Sequence, residues 1–312
     1  MIFVFDKIRS SCKYVMNNSQ YVSINYDKID EFIRVIDCSK LKNWLLYNSY
    51  GLLDLNVETV INFLLVFQSI DYSFWGDPKW TIETEEGFKD GSDALLYAML
   101  EYVKKINNTD FSNISFEEFK KILKGNVAIP LLNERYKTVV EVSRIVNEKM
   151  AGNFYQYIKD ITTDVDLFNI IVNNFPSFID ERTYDGTRIY IYKLAQLLTS
   201  DILHIREILE NIKVDYSNLI GCADYKIPQT LRALGITEYN EELSNVIDTK
   251  QAVNISSKYE VEIRASQIVV LDYIKSKLKN VNSIDVNDFF FIYSKKVKDI
   301  RKPYHLCRNT NY

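Results

Sequence analysis

The sequence predicts a mainly helical protein built around one continuous core. Three observations carry this. Glycine and proline are scarce, 9 and 5 in 312 residues, whereas sheets with tight turns consume both. Apolar residues recur at helical spacing from end to end. Sustained period-two alternation, the mark of half-buried strands, is rare.

In chain order, VETVINFLLVFQSI sets Val57, Val60, Ile61, Leu64 and Phe67 on one broad face. DGSDALLYAMLEYVKK opens with Asp and Ser cap candidates and runs apolar through Leu95, Ala98, Met99 and Tyr102. SFEEFKKILKG pairs Ser115 with Glu118 as a capping box and closes at Gly125. LLNERYKTVVEVSRIVNEKMAG ends similarly at Gly152. Further helices are expected over DVDLFNIIVNNF and TRIYIYKLAQLLTSDILHIREILENI, although IYIY is also compatible with a strand start. The last three are GCADYKIPQTLRALG, YEVEIRASQIVVLDYIKSKL and VNDFFFIYSKKV. No repeat or low-complexity segment appears. The reading is one domain over residues 1–312, or two intimately packed helical lobes.

Composition narrows the function classes. Apolar residues at 47% and charged residues at 26% are ordinary for a soluble globular protein. Net charge is −4, and KKINN, SKLKN and SKKVKDIRK are short runs rather than a basic stripe. That argues against a protein that wraps a duplex. Cys12, Cys38, Cys222 and Cys307 lie far apart, with no CxxC pair and no secretory leader, so reduced thiols in a cytoplasmic protein are expected. MIFVF, followed by Asp6 and Lys7, is too short for a signal segment, and VINFLLVFQSI is too short to span a membrane.

With two histidines, His204 and His305, and no HExxH, GxSxG, GxGxxG or phosphate loop, carboxylates are left to carry proton or charge chemistry. This agrees with a glycoside-type mechanism. GCADYKIPQTLRALG puts Asp224 at the mouth of a helix with Pro228 in its first turn and Gly235 after its last periodic residue. Helix capping explains that locally. In DYSFWGDPKWT, Phe74, Trp75 and Trp80 crowd a loop that suits a platform for a flat ring, with Asp77 or Lys79 at a polar edge. A hydrophobic lid over the core explains the same residues. In FPSFIDERTYDGTRIYIYKLAQLLTSD, Asp180 and Asp185 flank a turn, Lys193 and Gln196 share a helix face, and Asp201 points elsewhere. Lys193 in apolar surroundings means snorkelling or an anion partner. His204 on an apolar helix face reads as a packed or snorkelling ring. Glu260 and Arg264 are an i,i+4 pair, expected as a solvated salt bridge worth about 0.3–0.5 kcal/mol. The stretch KPYHLCRNTNY, with Tyr304, His305, Arg308 and Tyr312, is expected to fray unless its aromatics close over a pocket.

Together these stretches resemble the queuosine salvage protein family, the queuosine 5′-phosphate N-glycosylase/hydrolases. The likeness runs in order over most of the chain: the SFW loop, PLLNER, FPSF, YDGTRIYIYKLAQLL, CADYKIPQTLRALG, EVEIRAS and PYHLCR. It implies hydrolysis of the N-glycosidic bond of queuosine 5′-monophosphate, releasing queuine for tRNA modification. It also implies an all-helical fold similar to helix-hairpin-helix DNA glycosylases, with no metal or organic cofactor. The base is a 7-deazapurine without an N7 to protonate, so the enzyme must stabilise positive charge on the ribose and deliver water. Asp224 is then expected as the principal catalytic carboxylate, its basicity lowered by the helix dipole, with Asp201 as second choice. Phe74, Trp75 and Tyr225 are expected around the base, with Asp77, Asp180 or Glu262 meeting its amine or ring N–H groups. Lys193, Arg264, His305 and Arg308 are the phosphate candidates. The expected partner is this small nucleotide, not a membrane or a nucleic acid. Two other classes fit the same residues: a helical protein that holds a nucleotide without chemistry, and a DNA-repair glycosylase, which the acidic balance opposes.

Overall fold

Helices dominate the structure, a computed structural model that describes residues 4–36, 43–47, 49–296 and 302–312. Two helices precede the first one read from the sequence, α1 (Val4–Asn17) and α2 (Tyr26–Val35). They are followed by α3 (Val57–Gln68), α4 (Gly91–Ile106), α5 (Phe116–Ile122), α6 (Leu132–Lys149), α7 (Phe154–Ile158) and α8 (Asp164–Asn174). The remaining five are α9 (Lys193–Leu209), α10 (Lys226–Ala233), α11 (Glu241–Asp248), α12 (Lys258–Lys277) and α13 (Ser283–Lys296). Between them lie short strands: β1 (Val22–Ile24), β2 (Thr81–Thr84), β3 (Gly87–Asp90), β4 (Glu181–Tyr184), β5 (Thr187–Tyr190) and β6 (Thr237–Tyr239). They form three antiparallel pairs, β1 with β6, β2 with β3 and β4 with β5.

The core is organised by two helices that are covered on every side. α9 buries each residue from Lys193 to Arg206 between α3 and α8, and α12 buries each residue from Glu260 to Leu271 against α1, α10 and α13. A helix without a solvent face must satisfy its polar side chains internally, because burying them unpaired costs several kcal/mol or about 1–3 in mutational terms. The partners of Lys193, Gln196, Asp201, Arg264 and Gln267 are therefore what shape the interior.

Four readings of the sequence change. The helix expected over TRIYIYKLAQLL splits, because Asp185 and Gly186 both take positive φ (47° and 77°) and fold residues 187–190 back onto β4. That is the two-residue hairpin turn that Asp-Gly favours, and α9 starts only at Lys193. The capping box is half formed: Ser115 Oγ accepts the Glu118 N–H at 3.2 Å, but the Glu118 carboxylate accepts the Tyr102 hydroxyl at 2.7 Å. Glu260 and Arg264 are not a solvated pair, since α12 has no open face, and both are fully buried. The tail does not fray: the Val253 N–H binds the Leu306 carbonyl at 2.8 Å, and the Ser73 N–H binds the Tyr312 carbonyl at 2.9 Å. Cys12, Cys222 and Cys307 are buried free thiols, while Cys38 lies outside the described residues. Among the described residues no helix is long and apolar enough to cross a membrane.

Candidate active site

Between α9 and α10 the chain passes through the interior from Leu219 to Asp224 without regular structure. Its backbone groups must then be answered by side chains. Asp164 on α8 accepts the N–H groups of Asn218 (2.7 Å) and Leu219 (3.2 Å). Gln196 on α9 accepts those of Ile220 (2.9 Å) and Gly221 (3.2 Å), and Asn287 on α13 accepts that of Cys222 (2.8 Å). From α12, Gln267 donates to the Cys222 carbonyl (3.0 Å) and Arg264 to the Ala223 carbonyl (2.8 Å). Gly221 is required here, because a Cβ would collide with Leu271 and sit 3.1 Å from Asn287 Oδ1. Four helices thus hold one short segment in place.

That segment presents Asp224. Its Oδ1 accepts the N–H groups of Lys226 (2.8 Å) and Ile227 (3.1 Å), which caps α10. Its Oδ2 accepts no hydrogen bond among the described residues, and Asp224 lines a cavity of about 460 Å³. Capping and exposure to the cavity are properties of the same carboxylate. Burial raises its pKa, outweighing the opposing pull of Lys193 and of the two N–H donors. The direction is opposite to the lowering expected from the helix dipole, because desolvation is the larger effect.

Phe74 and Tyr225 form aromatic walls of the same cavity, with Phe74 stacked on Trp80 at 6.5 Å and 18°. Lys193, the first residue of α9, reaches Asp71, its Nζ lying 2.9 Å from Oδ2 and 2.7 Å from the carbonyl oxygen. The anion partner of Lys193 is therefore Asp71. Asp71 Oδ1 is buried and has no hydrogen-bond partner. On another side the N-terminus of α4 meets three lysines, Lys79, Lys226 and Lys295. Lys79 pairs with Asp90 (3.2 Å) and Lys295 with Asp93 (2.8 Å). Lys226 pairs with no carboxylate among the described residues; it lies 4.8 Å from the Tyr304 ring centroid. Burial, and then the charge of Lys79, lowers its pKa.

Of the site residues expected from the sequence, Asp224, Phe74, Tyr225 and Lys193 meet at this cavity, as do Lys79 of the aromatic loop, Cys222, and Tyr312 of the tail. Asp201, Trp75, Asp77, Asp180, Glu262, Arg264, His305 and Arg308 do not line it. Asp201 is sealed behind it, accepting from the Trp44 indole (3.0 Å), Asn43 (3.3 Å) and Gln68. Trp75 lies under the Arg308 guanidinium at 3.5 Å, and Arg308 donates to the carbonyls of Ser73 (3.0 Å) and Trp75 (2.7 Å). Together they brace the loop that carries Phe74. Asp77 is exposed on that loop. Asp180 and Arg264 form a buried ion pair, and Glu262 accepts the N–H groups of Gln20, Tyr21 and Val22 and the Tyr184 hydroxyl. His305 is buried 3.2 Å from the Tyr312 hydroxyl; burial, with Arg264 nearby, lowers its pKa to about 3, so the ring is neutral.

Among the polar residues of the cavity that were not singled out from the sequence are Asp71, Asn287 and Asp288. Each adjoins a strongly apolar run, VINFLLVFQSI before Asp71 and FFFIY after Asn287 and Asp288. An acid without a nearby cation at such a place is a usable signal of a buried polar group.

Fold and cavity define a mainly helical protein with a cavity of about 460 Å³ that is walled by aromatic rings and lined by carboxylates and lysines. The profile of the queuosine salvage protein family matches residues 53–312, and the chain belongs to that family. It is 31% identical over 265 residues to a queuosine 5′-phosphate N-glycosylase/hydrolase of Sphaerobacter thermophilus, covering 82% of each chain. Proteins of the same name from Mus musculus and Bos taurus are also similar. The mouse protein is 25% identical over 332 aligned positions, covering 97% of this chain and 98% of the relative. The bovine protein is 26% identical over 280 positions, covering 82% of each.

Proposed function

We propose that this chain hydrolyses the N-glycosidic bond of queuosine 5′-monophosphate and releases queuine for tRNA modification. The observation that carries the reading is Asp224, with one oxygen committed to α10 and the other facing a cavity of nucleotide size. Its open oxygen stabilises positive charge at the ribose and takes a proton from the attacking water. The base lies against Phe74 and Tyr225. Asp71 Oδ1, buried without a donor, receives a ribose hydroxyl, and Lys193 holds Asp71 in place. Asp201, Trp75, Asp77, Asp180, Glu262, Arg264, His305 and Arg308 support the site rather than line it. On this reading the helices form one domain of the helix-hairpin-helix glycosylase type, and the buried free thiols fit a cytoplasmic setting.

The phosphate belongs at the α4 N-terminus among Lys79, Lys226 and Lys295, where backbone N–H groups and cations converge. Lys226→Ala is expected to lower kcat/KM for the 5′-monophosphate about 10- to 100-fold, the scale of one charge-assisted hydrogen bond. The same change should leave the free nucleoside almost unaffected. Equal losses on both would remove Lys226 from the phosphate site.

The whole reading is tested by incubating the protein with queuosine 5′-monophosphate, queuosine and guanosine 5′-monophosphate and following the free base by chromatography. Release of queuine from the first is the expected result. Binding without release would make the protein a nucleotide-binding module, and a salt-steep affinity for duplex DNA would favour the repair-glycosylase class.

A further inference from the structure

We propose that Asp288 is a second catalytic carboxyl of the cavity, the acid that protonates the departing base while Asp224 serves the sugar. The inference rests on the hydrolase reading above. Asp288 projects from α13 into the cavity wall, yet it is only 2% exposed. Its Oδ2 accepts the Trp44 N–H at 3.1 Å, and its Oδ1 accepts the Asn287 side-chain amide at 3.1 Å. The orientation of that amide is not arbitrary. Asn287 Oδ1 takes the Cys222 N–H (2.8 Å) and Gln267 Nε2 (3.2 Å), so Nδ2 must face Asp288. One amide therefore links Asp288 to the segment that presents Asp224. The two carboxyls are held in a common frame.

The surroundings favour the protonated form of Asp288. Facing it are Asp201 and His204 from α9, Asp285 on its own helix and the Cys222 thiol from the Asp224 segment. Lys79, Lys193, Lys226 and Lys295 share its cavity, but no cation forms an ion pair with it among the described residues. His204 is turned to Asp285, 3.7 Å away, and to the Ser200 carbonyl at 2.8 Å. Burial raises the Asp288 pKa to about 7, against the pull of His204, Asn287 and the Trp44 N–H. Asp201, on the far side of Trp44, is also raised, first by burial and then by Asp288, and it has no face on the cavity. Of these two carboxyls, Asp288 is the one that borders the cavity and can pass a proton to a bound molecule.

The step balances without a further reactant. The bond from the ribose anomeric carbon to the base nitrogen breaks, and its electron pair leaves with the base. The Asp288 proton goes to the base. Water bonds to the anomeric carbon and gives its proton to Asp224. Solvent then returns that proton to Asp288, leaving queuine and ribose 5-phosphate as products. A 7-deazapurine needs this help, because its five-membered ring has no N7 to protonate. Asp224 ionised beside Asp288 protonated is the pairing of unlike carboxyls that glycoside chemistry uses.

The test compares queuosine 5′-monophosphate with nitrophenyl ribofuranoside 5′-phosphate, whose leaving group departs without a proton. On the first substrate, Asp288→Asn is expected to lower kcat about 100-fold, and wild-type kcat should fall above about pH 7. On the second, both effects should be nearly absent. Equal loss on the two substrates, or the same alkaline fall with both, would overturn the proposal. The wild-type profiles alone decide the point should the variant fold poorly. A wild-type protein that releases nothing from either substrate would overturn the hydrolase reading, and this step with it.

Discussion

Asp224→Asn is expected to lower turnover of queuosine 5′-monophosphate about 10³-fold, a loss of about 4 kcal/mol of transition-state stabilisation, while the fold and nucleotide affinity stay near wild type. The substitution isolates charge from structure. Asparagine is as good a helix cap as aspartate, and its carbonyl can still accept the N–H groups of Lys226 and Ile227. What disappears is the negative charge at the oxygen facing the cavity. Single-turnover base release, a thermal melt and a binding titration measure the three quantities separately. Near-wild-type turnover in a folded variant would return Asp224 to capping alone. The pH dependence has a definite sign. Asp224 works ionised, and burial raises its pKa above the usual aspartate value, so activity should be lost as pH falls through that raised value. This acid limb should be present with both leaving groups, unlike the alkaline limb assigned to Asp288.

How much of this was legible depends on whether the signal was local. α3 was legible because its apolar residues repeat without interruption, and Asp224 because a cap is written within a few residues of its helix. α1 was not. It buries Phe5, Ile8, Cys12 and Val15 at helical spacing, but Asp6, Lys7, Arg9 and Lys13 lie among them, and the stretch reads as mixed. The β4–β5 hairpin was written in Asp185–Gly186, but the apolar period of KLAQLL beyond it extended the helix reading backwards. Spacing tells which residues share a helix face, not whether that face is covered. Glu260 and Arg264 therefore read as a surface pair, although the packing of α1, α10 and α13 on α12 puts both inside. Asp71 was missed for the same reason: its partner, Lys193, is 122 residues away.

Those distant pairs are also what hold the site. Arg264→Met is expected to destabilise the protein by about 3–5 kcal/mol, the usual cost of removing one partner from a buried ion pair. Arg264 is fully buried and donates to Asp180 Oδ1 (3.1 Å) and Oδ2 (2.5 Å), to Glu260 Oε1 (3.0 Å) and to the Ala223 carbonyl (2.8 Å). Without it, two buried carboxylates are left to Arg182, which is already engaged with both of them. Arg264→Lys should recover only part of the loss, because a single ammonium cannot reach both the carboxylates and the carbonyl in the way a planar fork does. The effect must also depend on pH. Burial alone would raise the Asp180 pKa, but Arg264, and then Arg182, hold it below the ordinary value. A depressed native pKa contributes stability that is complete above the unfolded value, about 3.9, and is lost as pH falls through the native one. The gap in urea stability between wild type and Arg264→Met should therefore be widest near neutral pH and narrow below about pH 4. A gap that stays constant across that range, or that is under about 1 kcal/mol at pH 7, would contradict the ion-pair account. Turnover should fall as well, measured at a temperature where the variant stays folded. The Ala223 carbonyl would lose its donor one residue before Asp224, and the carboxylate would no longer be held at the sugar.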